Sequence, residues 1–123
     1  MNIEEFHAYC MAKPGTEETF PFDEHTLVFK VMGKMYAITG LNHLPFRVNL
    51  KCDPEYALDL REQYPGQIIP GWHMSKQHWN TVYCEDGLSD QLLCDLIDHS
   101  YDLIVASLPA KKRTELQMLM RDD

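Results

Sequence analysis

Eleven consecutive positions, Pro70-Gly71-Trp72-His73-Met74-Ser75-Lys76-Gln77-His78-Trp79-Asn80, hold both tryptophans of the chain, two histidines and a lysine. Aromatic rings stack on bases, and histidine and lysine bond phosphate or other small anions. This segment is therefore the densest source of binding chemistry in the sequence. Other chemistries fit it less well. His73 and His78 are one residue further apart than the i, i+4 pair of zinc proteases, and no Glu follows His73. With no Cys pair nearby, the pattern argues against a metal site, and no metal or other cofactor is expected. Pairing Cys84 with His78 as nucleophile and base lacks a group to orient the histidine and donors for an oxyanion. No glycine-rich phosphate loop occurs. No catalytic residue is assigned, and the chain is expected not to be an enzyme. The tryptophans also have a packing role open to them, strongest for Trp79: anchoring a long loop onto a sheet.

The basic residues point the same way as the loop. Eleven Lys and Arg against nineteen Asp and Glu give a net charge of −8. That total disfavours tight, general binding to a polyanion. It hides a segregation, however. From His25 to Cys52 and from Gln63 to Cys84 there is no acid, and these 50 residues carry +5; the other 73 carry −13. Strands are depleted in Asp and Glu, which accounts for part of this. The placement of the bases adds to it. Arg47 and Lys51 share one side of an alternating segment whose other side is Phe46, Val48 and Leu50. Lys30 alternates away from Leu27, Phe29 and Val31. If helices cover the apolar side, Lys30, Arg47 and Lys51 collect on the open one, where they attract anions locally. Asp95, Asp98 and Asp102 read as a solvated helix face, and Lys111-Lys112-Arg113 as a patch extension or the start of a surface helix.

The elements that must hold these residues are legible. Asn2 caps a helix carrying Ile3, Phe6 and Cys10, which Lys13-Pro14-Gly15 stops. A short extended piece covers 16–20. Thr26 to Val31 and Met35 to Leu41 flank Met32-Gly33-Lys34 as a hairpin, and Phe46 to Lys51 is a further strand. Asp53-Pro54-Glu55 starts a second helix, running to Tyr64. A long connection, 65–78, leads to a last strand, 79–84. Ser89 caps the longest helix, with Leu92, Leu93, Leu96, Ile97, Tyr101, Ile104 and Leu108 in its apolar stripe, and 110–121 forms a terminal helix. The order α-β-β-β-β-α-β-α(-α) predicts an α+β fold: an antiparallel sheet covered on one face by helices. The 123 residues suit one domain, spanning 1–123.

The first residues lack the basic and apolar regions of a signal peptide, and no apolar run is long enough for a bilayer. Four cysteines without a Cys-x-x-Cys pair suit a reduced, cytoplasmic protein, with Cys10 and Cys94 on apolar helix faces. A monomer is expected.

Several segments, in order, carry a family resemblance: Tyr9-Cys10-Met11-Ala12-Lys13-Pro14-Gly15, Phe29-Lys30-Val31, Leu50-Lys51, His73-Met74-Ser75-Lys76-Gln77-His78-Trp79-Asn80-Thr81-Val82-Tyr83 and Asp98-His99-Ser100-Tyr101. They resemble the MmcQ/YjbR-like family over nearly the whole chain. The resemblance implies a compact fold similar to the frataxin-like CyaY architecture and a DNA-binding role by analogy to a double-wing domain. The matching positions that would carry a shared activity are Lys30, Lys51, Lys76, His78 and Trp79. An iron role, by analogy with frataxin-like proteins, would need an acidic ridge on the first helix, which carries only Glu4 and Glu5. The residues and the resemblance together predict a nucleic-acid-binding module. Lys30, Arg47, Lys51 and Lys76 would contact phosphate, Trp72 or Trp79 would stack, and His73 and His78 would lie beside them. A non-catalytic binder of an anionic metabolite or of a protein partner, on the same face, is the alternative.

Overall fold

A computed structural model describes residues 1–121. The chain runs α1 (Ile3–Met11), β1 (Thr16–Thr19), β2 (Thr26–Val31), β3 (Lys34–Gly40), β4 (Arg47–Lys51), α2 (Pro54–Gln63), β5 (Ile68–Pro70), β6 (Trp79–Tyr83), α3 (Asp90–Ser107) and α4 (Ala110–Arg121). Every helix start read from the sequence is realised. Asn2 and Glu5 form a reciprocal capping box on α1, the Asp53 carboxylate accepts from Tyr56 N, and the Ser89 hydroxyl accepts from Leu92 N.

The six strands form one antiparallel sheet in the order β1-β2-β3-β4-β6-β5. The first four make a meander. Helix α2 then carries the chain past the edge, β5 runs there, and β6 returns between β5 and β4. β2 and β3 meet at Met32 and Gly33, both at positive φ, as a two-residue hairpin of this twist requires. The long connection expected over 65–78 is interrupted by β5. Three residues ending in proline gave no strand signal, yet proline is tolerated at a sheet edge.

Side chains alternate across the sheet. Leu27, Phe29, Val31, Val48, Leu50 and Val82 point to the helices and form the main core with Phe6, Leu60, Leu93, Leu96, Ile97 and Ile104. A bulge between Phe29 and Lys30 on the β2–β3 pairing lets Tyr36 and Ala37 both join that core. Cys10 is buried there as expected, whereas Cys94 lies only half-buried at its margin. The acidic side of α3 is not wholly solvated either: Asp98 pairs with Lys13 and accepts from Tyr9 Oη at 2.7 Å, tying α1 to α3.

The centre of the sheet is joined lightly. β3 and β4 share only the pairs Ala37–Leu50 and Ile38–Asn49. Beyond them the strands are bridged by side chains. The buried Ser100 hydroxyl donates to Tyr36 O at 2.6 Å and accepts from Lys51 N at 2.9 Å. At the other end Thr39 Oγ1 donates to Arg47 O at 2.7 Å. Among the described residues no helix is long and apolar enough to cross a membrane.

Candidate anion-binding groove

Among the described residues no helix packs on the second face of the sheet. It carries Thr26, Val28 and Lys30 from β2, Met35 and Ile38 from β3, Arg47, Asn49 and Lys51 from β4, and Trp79, Thr81 and Tyr83 from β6, as the register dictates. Lys30, Arg47 and Lys51 are therefore on one face, as the alternation predicts. The face is not bare, however. The 71–78 loop folds back over it, and two polar side chains, Asn49 and Thr81, account for that. Trp72 N donates to Thr81 Oγ1 at 2.9 Å, Thr81 Oγ1 donates to Asn49 Oδ1 at 2.5 Å, and Asn49 Nδ2 donates to Trp72 O at 3.0 Å. This closed ring fixes Trp72 above β4. Gly71 allows the approach, since a Cβ there would lie 2.8 Å from Trp79 Cβ.

The loop divides the predicted residues into groups. Trp72, 55 % exposed, receives the Arg47 guanidinium at 5.6 Å from its ring centroid, and the His73 ring stands nearly perpendicular to it at 5.0 Å between centroids. His73 holds φ at +58°, a left-handed conformation at the loop tip. Arg47, Trp72 and His73 thus come together. They line a groove of about 410 Å³ with Phe22, Thr26, Ile38, Gly40, His43 and Asn49. Lys30 and Lys51 sit one row away, Lys30 across from Glu17 and Lys51 across from Trp79.

The remaining predicted residues lie elsewhere. Trp79 is 9 % exposed and packs with Val28, Ile38, Met35 and Met74 beneath the loop, so it anchors rather than stacks. Lys76 turns away: its ammonium donates to Gly71 O at 3.2 Å, and it lines a separate groove with Glu55, Leu58 and Arg61. His78 is exposed, and its carbonyl accepts from Cys52 N. Arg61, which no sequence pattern singled out, holds the loop there. It donates to Asn80 Oδ1 at 2.7 Å and to the carbonyls of Lys76 and Trp79.

Two groove residues also escaped the sequence reading. Phe22, 65 % exposed, stands on the β1–β2 loop, which an Asp23 turn shapes: its carboxylate accepts from His25 N at 2.8 Å and Thr26 N at 2.7 Å. Those bonds, His25 first, hold the exposed Asp23 carboxyl below its ordinary value. His43, on the β3–β4 loop, lays its ring against Gly40, in the space a side chain there would fill. Among the described residues lining the groove there is no acid, and Arg47 is the permanent charge. In contrast, the Cys84 thiol is buried and pushed up to about 12 by that burial, far from a ready nucleophile. Among the described residues no three His, Cys, Asp or Glu side chains come together as a metal cluster.

An antiparallel α+β protein with helices on one face and a loop-lined groove on the other defines a narrow structural class. The YjbR family model matches residues 11–103, and the chain belongs to that family. It is 38 % identical to the uncharacterized protein YjbR of Escherichia coli K12, over 97 % of this chain and 100 % of that one. It is 27 % identical to the uncharacterized protein YyaQ of Bacillus subtilis, over 81 % of this chain and 95 % of that one. Among solved structures, Deinococcus radiodurans protein DR2400, a DUF419 domain, superposes with a TM-score of 0.88 at 38 % identity, covering 94 % of this chain and 88 % of that one. A Pseudomonas syringae protein superposes with a TM-score of 0.71 at 29 % identity, covering 84 % and 98 %. These neighbours share the fold.

Proposed function

We propose that this protein is a non-catalytic, cytoplasmic binding module that takes nucleic acid on the open sheet face, through Arg47 with Lys30 and Lys51. The observation that carries the reading is the Arg47 guanidinium, held over Trp72 in a groove whose described lining has no acid. A guanidinium matches the geometry of a phosphate and attracts it locally, even on a chain of net charge −8. Single-stranded forms suit this face better than duplex. The loop interrupts the surface, and three cations give few backbone contacts. Such binding is weak and salt-sensitive, with a log–log slope of about −2 for three contacts to a single strand.

The test is fluorescence anisotropy with labelled single- and double-stranded DNA and RNA, from low to high salt. A complex at low salt that weakens along that slope, and that Arg47→Ala diminishes, supports the reading. Absence of any complex at low salt with all four forms overturns it.

A further inference from the structure

We infer that the groove is a clamp for one planar aromatic ring bearing an anionic group, gripped between Phe22 and Trp72 with its charge at Arg47. This deepens the binding reading above and rests on it. Phe22 and Trp72 are both exposed large apolar residues, and both line this groove. Phe22 precedes β2, and Trp72 is fixed above β4. Only β3 lies between, contributing Ile38 and Gly40 to the floor. Two strand spacings separate β2 from β4 by roughly 10 Å. An aromatic ring placed between two others, at centroid distances of about 4.5–7 Å to each, needs a gap of that size.

The walls are prepared before any ligand arrives. Trp72 is held by the Asn49–Thr81 ring of hydrogen bonds, by Arg47 and by the His73 ring. Phe22 stands on the loop shaped by Asp23. His43, against Gly40, offers a ring nitrogen at the floor, where a heterocycle edge would need a donor or an acceptor. The groove's volume, about 410 Å³, suits one such unit rather than a duplex. A base with its phosphate is the plainest ligand of this chemistry, whether free as a mononucleotide or as one residue of a single strand.

Calorimetric titration of the full chain separates the possibilities. The probes are uridine 5′-monophosphate, uridine, inorganic phosphate, an oligothymidylate strand and an abasic phosphodiester strand of equal length. The expected result is that the monophosphate binds, and that uridine and phosphate alone bind at least about tenfold more weakly. Phe22→Ala and Trp72→Leu should each weaken the monophosphate and the oligothymidylate by about tenfold, the scale of one lost base–aromatic stack, and leave the abasic strand unaffected. Oligothymidylate binding well above the monophosphate identifies a strand as the source of the ring; equal affinities identify the free nucleotide. If the abasic strand binds as tightly as oligothymidylate, the anion-binding reading stands and the clamp is overturned. If no probe binds, both fall.

Discussion

On the helix-covered side of the sheet Phe6 meets Phe29 and Phe46 edge to face, at 5.6 and 5.7 Å between ring centroids. Two tyrosine hydroxyls there are matched as well: Tyr36 Oη lies 2.9 Å from Thr16 Oγ1, and Tyr101 Oη donates to Pro14 O at 2.6 Å, whereas the buried Asn80 Nδ2 has no partner among the described residues. On the other side, Val28, Ile38 and Trp79 form a small cluster under a loop, and the large rings of Phe22 and Trp72 face water. The same strands serve both faces, since outside the bulge at Tyr36 successive residues point to opposite sides. One face thus concentrates the burial that stabilises the fold. The other leaves the rings of Phe22 and Trp72 exposed, with Arg47 held against one of them.

The comparison breaks first if substitution costs the same on both sides. Phe6→Ala should lower unfolding stability by about 3–5 kcal/mol in urea titration, the range for a buried phenylalanine in a packed core. Val28→Ala, in the thinner cluster, should cost clearly less; equal losses would mean that the open face is as structural as the covered one. Arg47→Ala should weaken binding of the anionic probe by about tenfold or more, the scale of about 1.5–3 kcal/mol for hydrogen bonds to a charged group, with the urea midpoint nearly unchanged. Ser100→Ala tests whether the helix side governs the sheet centre. It leaves Lys51 N–H and Tyr36 C=O without their side-chain partner, so about 1–3 kcal/mol of stability should be lost in the same assay.

The smallest effect is electrostatic. Burial pushes the Asp98 carboxyl upward, but the bonds from Lys13 and Tyr9 outweigh it and hold the group below its ordinary value. A depressed acid contributes stability above its unfolded value, which is lost as pH falls through the folded one. The pair is partly exposed, so the contribution is under about 1 kcal/mol. Urea titrations from neutral pH into the acid range should show the unaltered chain losing slightly more stability than Asp98→Asn. Identical curves would remove this tie from the covered face.

Local signals carried most of the fold. Asn2, Asp53 and Ser89 announced helices because capping is decided within three residues of chain. The alternation around Val48 placed Arg47, Asn49 and Lys51 on one face for the same reason. The site was half legible. Arg47, Trp72 and His73 do meet, but Trp79 is buried and Lys76 points away. The cause is the loop, which is folded back by bonds from Asn49 and Thr81, residues 23 and 9 positions from Trp72. Nothing in a local pattern encodes such bonds. Phe22 and His43 stayed hidden because loop residues have no periodicity to place them.

The two rungs between β3 and β4 give the groove a mechanical character. The sheet amounts to two three-stranded ribbons meeting at a seam, with Ser100 of α3 stitching one end and Thr39 the other. The groove straddles that seam: Phe22, Thr26, Ile38, Gly40 and His43 ride on one ribbon, Arg47, Asn49, Trp72 and His73 on the other. Its width is thus the angle at which the ribbons are sewn, and the thread runs through the helix on the far side. The wall that carries Phe22 and the wall that carries Trp72 are joined through a single hydroxyl of that helix, Ser100.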